Sequence, residues 1–368
     1  MHLEHLWLAD FRNYAAAELE PAREGLTVVT GDNGQGKTSL LEAIGYLATL
    51  RSFRGAPPEA LIRVGAERAV VRATGRREAR ELLVEAELQA KGRGRVQLNR
   101  QPLRRGRDLL GALRATVFTP DDLSLVKGGP QHRREYLDEM LVSLHPRHDA
   151  TQTELERVLK QRNALLRSAT GVGRPDPNLE PTLDVWDAKM ADAGERLVAA
   201  REGLTRALLP LVAGAYAELA VAGGRGGQLP GAGIGLEYQR SWTGPLVEAL
   251  TAARRDDLRR GVTTVGPQRD EVAMTIAAMP ARSHGSQGEQ RTLALALRLA
   301  GHHLVTDRVG TAPVLLLDDV FSELDAARAS GLLAALPSGQ AVLTTAGDIP
   351  AGADPALVLR VRDGRIGP

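Results

Sequence analysis

The stretch LTVVTGDNGQGKTSLLEAI, residues 26–44, decides the fold of this chain. Leu26–Thr30 is an apolar, β-branched run, which reads as a buried strand. Leu40–Leu50 reads as a helix. Between them, Gly31–Thr38 fits G-x-x-x-x-G-K-[ST] at every fixed position, in the strand-then-helix context that this phosphate-binding pattern requires. Glycines let the backbone wrap closely around phosphate oxygens, and N–H groups from Asn33 to Lys37 are expected to cradle the β-phosphate. The expected binding residues are Gly31, Asp32, Asn33, Gly34, Gln35, Gly36, Lys37, Thr38 and Ser39. Lys37 is expected to reach the β and γ oxygens as a compact charge, and Thr38 to ligate Mg²⁺. ATP and Mg²⁺ are therefore the expected cofactors.

Working outward, VLLLDD (Val314–Asp319) is a buried run ending in two carboxylates. Asp318 at the strand end is placed to hold the Mg²⁺ shell, and Asp319 to position or deprotonate an attacking water. Lys37, Asp318 and Asp319 are the catalytic candidates. SELD (Ser322–Asp325) follows and by itself is a helix cap, with Ser322 as the cap and Asp325 at the third helical position. Upstream, SHGSQGEQRTLALALRLA (residues 283–300) is a glycine-containing turn feeding an Ala/Leu helix. Ser286 and Glu289 make a capping box there, and a helix start also favours anions. Yet the turn has no lysine, and a phosphate-binding turn already exists at Lys37.

The 368 residues are enough for two or three domains, and 43% hydrophobic with 25% charged residues is ordinary for a globular protein. Cysteine is absent, which excludes disulfides, thiolate catalysis and Cys-ligated zinc. No apolar run is long enough for a transmembrane helix, and MHLEHLWLADFRN lacks the form of a secretion signal, so a cytoplasmic place is expected and no membrane partner. Net charge is only +2, but residues 51–114 hold 16 basic against 7 acidic residues, a local +9. Such a basic surface suits phosphate backbones. Strands are predicted at 2–11, 69–73, 81–88, 96–98, 116–118, 314–317, 341–344 and 357–361, with NRQP (Asn99–Pro102) as a turn. Gln131–Ser168 and Leu183–Leu219 read as long helices forming a helix–loop–helix arm across GVGRPDPNLEP (171–181), with helices of about 25 residues reaching about 35–40 Å. AGGRGGQLPGAG (222–233) reads as a flexible connection, and RRDDLRR (Arg254–Arg260) as a solvated helix face or further DNA surface.

A P-loop, then SQGEQ (Ser286–Gln290), then DD, then SELD is the motif order of ATP-binding-cassette (ABC) ATPases, which this chain resembles. DFRNY (Asp10–Tyr14), TPDDL (Thr119–Leu123), GGPQHRREYLD (Gly128–Asp138), LKQRNALLR (Leu159–Arg167) and GPQRDE (Gly266–Glu271) narrow the resemblance to the RecF family of bacterial recombination-repair proteins over essentially the whole chain. The implied fold is α/β: an ABC-type P-loop ATPase head with a mixed sheet, plus a mainly α-helical inserted lobe. The expected division is 1–118 with 300–368 as the ATP-binding lobe, and 119–299 as the helical lobe carrying the arm and the SQGEQ turn.

The resemblance implies an ATP-dependent homodimer that binds DNA at gaps near single-strand/double-strand junctions and hydrolyses ATP slowly. With RecR and RecO it helps place RecA on single strands, in DNA replication, recombination and the SOS response, on the nucleoid. By the same resemblance Arg12 and Asn13 lie near the nucleotide. Ser286, Gln287, Gly288 and Glu289 meet the γ-phosphate held by a second copy, and Asp325 lies across the dimer interface. Asp319 stands where ABC ATPases usually carry Glu, Glu289 where Gln is usual, and Thr344–Thr345 where His is usual; no Gln lies in Thr116–Asp122. The alternatives are a transporter-type or chromosome-structural ABC subunit, a P-loop small-molecule kinase, and a structural protein with vestigial nucleotide sites. Lys37 and Ser286 are 249 residues apart, too close for the long coiled coil of a chromosome-structural protein.

Overall fold

The computed structural model describes residues 1–77, 80–169, 177–221 and 233–367. In chain order the elements begin with β1 His2–Phe11, β2 Tyr14–Leu19, β3 Gly25–Thr30, α1 Lys37–Thr49, β4 Arg68–Arg77, β5 Arg80–Gln89, β6 Arg95–Leu98, β7 Gln101–Pro102 and β8 Ala115–Phe118. Next come α2 Leu123–Lys127, α3 Pro130–Leu144, α4 Arg147–Ala169, α5 Leu179–Ala220, β9 Ile234–Gln239, α6 Leu246–Arg260, β10 Glu271–Ile276, β11 Met279–Pro280 and α7 Ala281–His284. The chain ends with α8 Gln287–Val309, β12 Val314–Asp318, α9 Ala326–Ala335, β13 Gln340–Thr345, β14 Pro355–Arg362 and β15 Arg365–Gly367. Two compact units result: Met1–Leu123 with Leu211–Ala232 and Ser286–Pro368, and Ser124–Pro210 with Gly233–Gly285.

The first unit has two sheets. One is mixed, in the order β15-β14-β3-β13-β12-β8, its members parallel except for the β14–β15 hairpin. Its central strands VLLLD and QAVLTT are buried throughout, as expected where a parallel sheet is covered on both faces. The other is antiparallel, in the order β2-β1-β4-β5-β6-β7. Leu6 and Phe11 of this sheet, Leu40, Leu41 and Ile44 of α1, and Val29, Leu316 and Val342 of the mixed sheet share one core. Each such side chain contributes about 1.5–3 kcal/mol through burial. SQGEQ and α8 fall in this unit, so the divide lies at Gly285–Ser286 and not near residue 300. Two contacts bind α8 to the β8 segment: Arg298 donates to Asp122 at 2.7 and 3.0 Å, and His302 Nδ1 lies 3.1 Å from Thr116 Oγ1.

The second unit packs α3, α4 and α6 with the sheet β11-β10-β9. The helix predicted over 131–168 is two, because Pro146 lacks an N–H and ends α3 at Leu144. The second arm helix, expected over 183–219, runs from Leu179 to Ala220, 42 residues. Most of its connecting turn (170–176) and of the Gly-rich connection (222–232) lies outside the described residues.

Buried ion pairs hold this unit. Arg162, fully buried, donates to Asp187 at 2.6 Å, Asp257 at 2.7 Å and Thr263 at 2.8 Å. Arg254 closes the network on Glu180, Asp184 and Asp187. Within 254–260, Asp257 is fully buried and Arg254 half-buried in this network, whereas Arg255, Asp256, Arg259 and Arg260 stay exposed, so the expected solvated face covers only part of this stretch. GGPQHRREYLD and GPQRDE meet here too. Arg133 takes Glu271 through two 2.7 Å bonds, and Arg201 takes Asp138 at 2.7 and 2.8 Å. These family stretches are structural joints.

His302 sets a pH limit. It is 2% exposed, its Nε2 has no partner among the described residues, and burial, with the nearby His303, lowers its pKa from 6.5 to about 4. Between these values the unfolded chain binds a proton that the folded one refuses, so stability is lost as pH falls from 6.5 towards 4. Urea unfolding is expected to show about 2–3 kcal/mol less stability at pH 4.5 than at pH 7 from this group. His302→Gln should flatten that part of the profile.

Candidate functional site

Lys37, Thr38, Thr344 and Asp318 converge at the carboxyl ends of three adjacent parallel strands, β3, β13 and β12. Gly31 and Gly36 have φ of 149° and 112°. A Cβ on Gly31 would strike the Val361 carbonyl, and one on Gly36 would strike the Asn13 amide and the Tyr14 hydroxyl. Only glycine allows this close wrap. Lys37, 7% exposed, donates to the carbonyls of Gly31 at 2.7 Å and Asp32 at 2.9 Å. Burial lowers its pKa, opposed by the charges of Asp319, Asp318 and Asp32.

Thr38 Oγ1 donates to Asp318 Oδ1 at 2.8 Å, and Thr344 Oγ1 donates to the same oxygen at 2.7 Å. Burial raises the pKa of Asp318, while the Thr344 and Thr38 hydrogen bonds pull it back. A hydroxyl and a carboxylate already in contact at the strand ends fit Mg²⁺, which needs few protein ligands and completes its octahedron with phosphate and water oxygens. Asp319 adopts the left-handed conformation at φ 49°, its N–H held by the Thr344 carbonyl at 3.1 Å. Its Oδ1 is shielded from solvent and accepts no hydrogen bond among the described residues.

Asn13 and Arg12 lie in the tight β1–β2 turn. Asn13 Nδ2 donates to the Gln35 carbonyl at 2.9 Å and so braces the loop. The Arg12 guanidinium instead takes the fully buried Glu42 of α1 through two 2.7 Å bonds. Gln35 Oε1 also accepts the Asp363 N–H at 2.7 Å.

The SQGEQ turn forms its predicted cap. Ser286 Oγ accepts the Glu289 N–H at 3.3 Å, and Glu289 Oε2 accepts from Ser286 N and Oγ, both at 2.7 Å. Glu289 thus folds back on its own helix start. Arg291 bonds to Glu323 of SELD at 2.9 Å. Asp325, rather than the expected Ser322, caps α9 by accepting the Arg328 N–H at 2.8 Å, and it pairs with the Arg328 guanidinium, which lies where a Cβ on Gly288 would go. The lysine-free turn therefore has an arginine over it.

Residues 2–343 match the family model RecF/RecN/SMC N terminal domain. The protein named DNA replication and repair protein RecF from Streptomyces avermitilis is 45% identical over 358 residues, 94% of this chain and 93% of that one. Its namesake from Cutibacterium acnes is 43% identical over 365 residues, covering 94% and 92%. The chain belongs to the RecF family. A solved structure of the recombination mediator protein RecF with ATP superposes with a TM-score of 0.88 at 28% identity, covering all of this chain and 97% of the other. The Pyrococcus furiosus Smc head matches in fold, with a TM-score of 0.54 at 18% identity, covering 99% of this chain and 95% of that one. The ABC-type α/β head with an inserted helical lobe is thus the RecF fold.

Sequence reasoning missed Thr344 as a partner of Asp318, Glu42 as the partner of Arg12, and Arg328 over Gly288. The order of the mixed-sheet strands, the placement of the β1–β2 turn beside α1 and the α8–α9 packing bring these together. Among the described residues no helix is long and apolar enough to cross a membrane.

Proposed function

We propose that this RecF-family protein is an ATP-gated DNA clamp of recombinational gap repair. It binds ATP with Mg²⁺ at the Lys37 loop and pairs head to tail with a second copy. As a dimer it grips gapped DNA at single-strand/double-strand junctions and hydrolyses ATP slowly, with DNA stimulating turnover. In the cytoplasm, on the nucleoid, it works with RecR- and RecO-type mediators to load the recombinase on single strands. The observation that carries the nucleotide reading is the Thr38–Asp318 contact beside Lys37. The relatives named for DNA replication and repair, and the ATP complex of a RecF from the RecFOR pathway, support the rest.

On this reading Gly31–Ser39 wrap the phosphates, Lys37 leaves its two carbonyls for phosphate oxygens, and Thr38 and Asp318 hold Mg²⁺. The ion supplies charge neutralisation at the phosphates. Asp319 orients the attacking water through its unpartnered oxygen. Ser286, Gln287 and Gly288 face the partner's γ-phosphate, with Arg328 supplying the positive charge that the turn lacks. Glu289 stays in its cap, which relieves the repulsion that a carboxylate in that position raises. Asp325, which faces the partner at the interface, holds Arg328 of its own chain in place. Arg12 acts near the nucleotide through Glu42 and α1, and Asn13 through the Gln35 carbonyl.

Sedimentation with ATP, with and without gapped DNA, tests the clamp. The parent protein should form an ATP-dependent dimer and Ser286→Arg should remain monomeric; a variant dimer as stable as the parent's sinks the model. Lys37→Met should weaken ATP binding by about 100-fold or more, about 3 kcal/mol. Unchanged affinity would refute the P-loop assignment.

A further inference from the structure

The antiparallel sheet of the first unit carries a concavity that the ATP chemistry does not use. Leu6 and Leu8 of β1 point into the core, so Trp7 stands on the opposite face. Trp7 pairs across to Arg72, Arg72 to Glu85, and Glu85 to Gln97, one row over four strands. Thr74 and Leu83 form the next row, and Arg100 stands at the rim. Together they line a space of about 430 Å³.

This space is built. His5 stacks on Trp7 with centroids 3.7 Å apart and planes 8° apart, and is itself held by Glu18 and Glu20 at 3.1 Å each. The indole is therefore a fixed platform. Arg72 Nε is fixed on Glu85 at 2.5 Å. Asn99 Oδ1 accepts the Leu83 N–H and the Asn99 N–H bonds the Leu83 carbonyl, both at 2.8 Å, which pins the β6–β7 turn. In that turn Asn99 and Arg100 have φ of 50° and 65°, a turn whose second position favours glycine. An arginine there is strained, and its side chain lines the rim. The side chains of Thr74, Gln97 and Arg100 have no hydrogen-bond or ionic partner among the described residues.

We propose that this concavity takes an unpaired base of single-stranded DNA, stacked against Trp7. A planar ring meets the indole, its polar edge meets Gln97 and Thr74, and the adjoining phosphate meets Arg100. Arg72 and Arg100 against the single Glu85 leave the lining net positive, which complements the phosphates of a strand. A base paired in a duplex keeps its faces inside the stack and cannot enter. The inference rests on the DNA reading above and deepens it by naming the single-stranded side of the junction as what this face holds.

The test is binding of fluorescein-labelled oligothymidylate and of a blunt duplex to the full chain with ATP. Trp7→Leu should lose about 10-fold or more of its oligothymidylate affinity, Trp7→Phe should keep most of it, and both should retain duplex binding and ATP-dependent dimerisation. Arg100→Gly should weaken oligothymidylate binding, flatten its salt dependence, and raise the thermal midpoint by relieving the turn. Parental oligothymidylate affinity in Trp7→Leu overturns the proposal, as does an equal loss on single strand and duplex. Displacement of the oligonucleotide by thymidine monophosphate at equal concentration overturns the strand as occupant. A parent protein that binds duplex but not oligothymidylate overturns the pocket alone; one that binds neither overturns the DNA reading with it.

Discussion

Asp319→Asn is expected to slow ATP hydrolysis by about 100-fold or more while leaving ATP affinity within about threefold. Asparagine matches aspartate in shape and tolerates φ 49° equally well, so the bond from the residue 319 N–H to Thr344 survives. Only the charged acceptor is lost. Part of the upward push on Asp318 comes from Asp319, so the variant should also ionise Asp318 at lower pH and keep its Mg²⁺ requirement satisfied further into acid. Bound but unhydrolysed ATP should prolong the dimer. Phosphate release in a single turnover, with sedimentation alongside, reads all of this; parental release would remove Asp319 from the reaction. Asp319→Glu extends the reach towards water at the cost of a bulkier residue in left-handed backbone.

Arg162→Met is expected to cost about 3–5 kcal/mol, because it strands buried carboxylates. Asp257 would lose its guanidinium and keep only the Thr264 N–H and hydroxyl, at 2.8 and 2.6 Å. Asp187 would retain Arg254. Adding Asp257→Asn should recover about 1 kcal/mol or more of the loss, since a neutral amide is easier to bury. Urea unfolding of the two single variants and the double variant measures that coupling, and simple additivity would show that the pair is not energetically linked.

Much of the first unit was legible because its signals are local. Leu26–Thr30 is apolar over the length of one strand, Gly31–Lys37 has glycine where the loop needs positive φ, and Ser286 with Glu289 forms a cap within one turn. The strands of 2–11 and 314–317 were found nearly to the residue. Tyr14–Leu19 was not, because YAAAEL has weak strand composition and owes its form to pairing with β1. That lost strand explains how Asn13 reaches Gln35: the turn it creates aims the amide at the loop. In 254–260 charge density suggested solvent, but Asp257 and Arg254 meet partners 70 to 95 residues away.

The sequence by itself determined the phosphate loop, the strand carboxylates, the lysine-free second turn and the family, since each depends on neighbours within a few residues. Tertiary structure alone decided what faces these groups. The β3-β13-β12 order places Thr344 on Asp318, the α8–α9 packing lays Arg328 over Gly288, and four antiparallel strands assemble Trp7, Arg72 and Gln97 into one face. The physical reason is that a side chain's chemistry is set by the charges and dipoles within a few ångströms, and in this fold most of those come from distant parts of the chain.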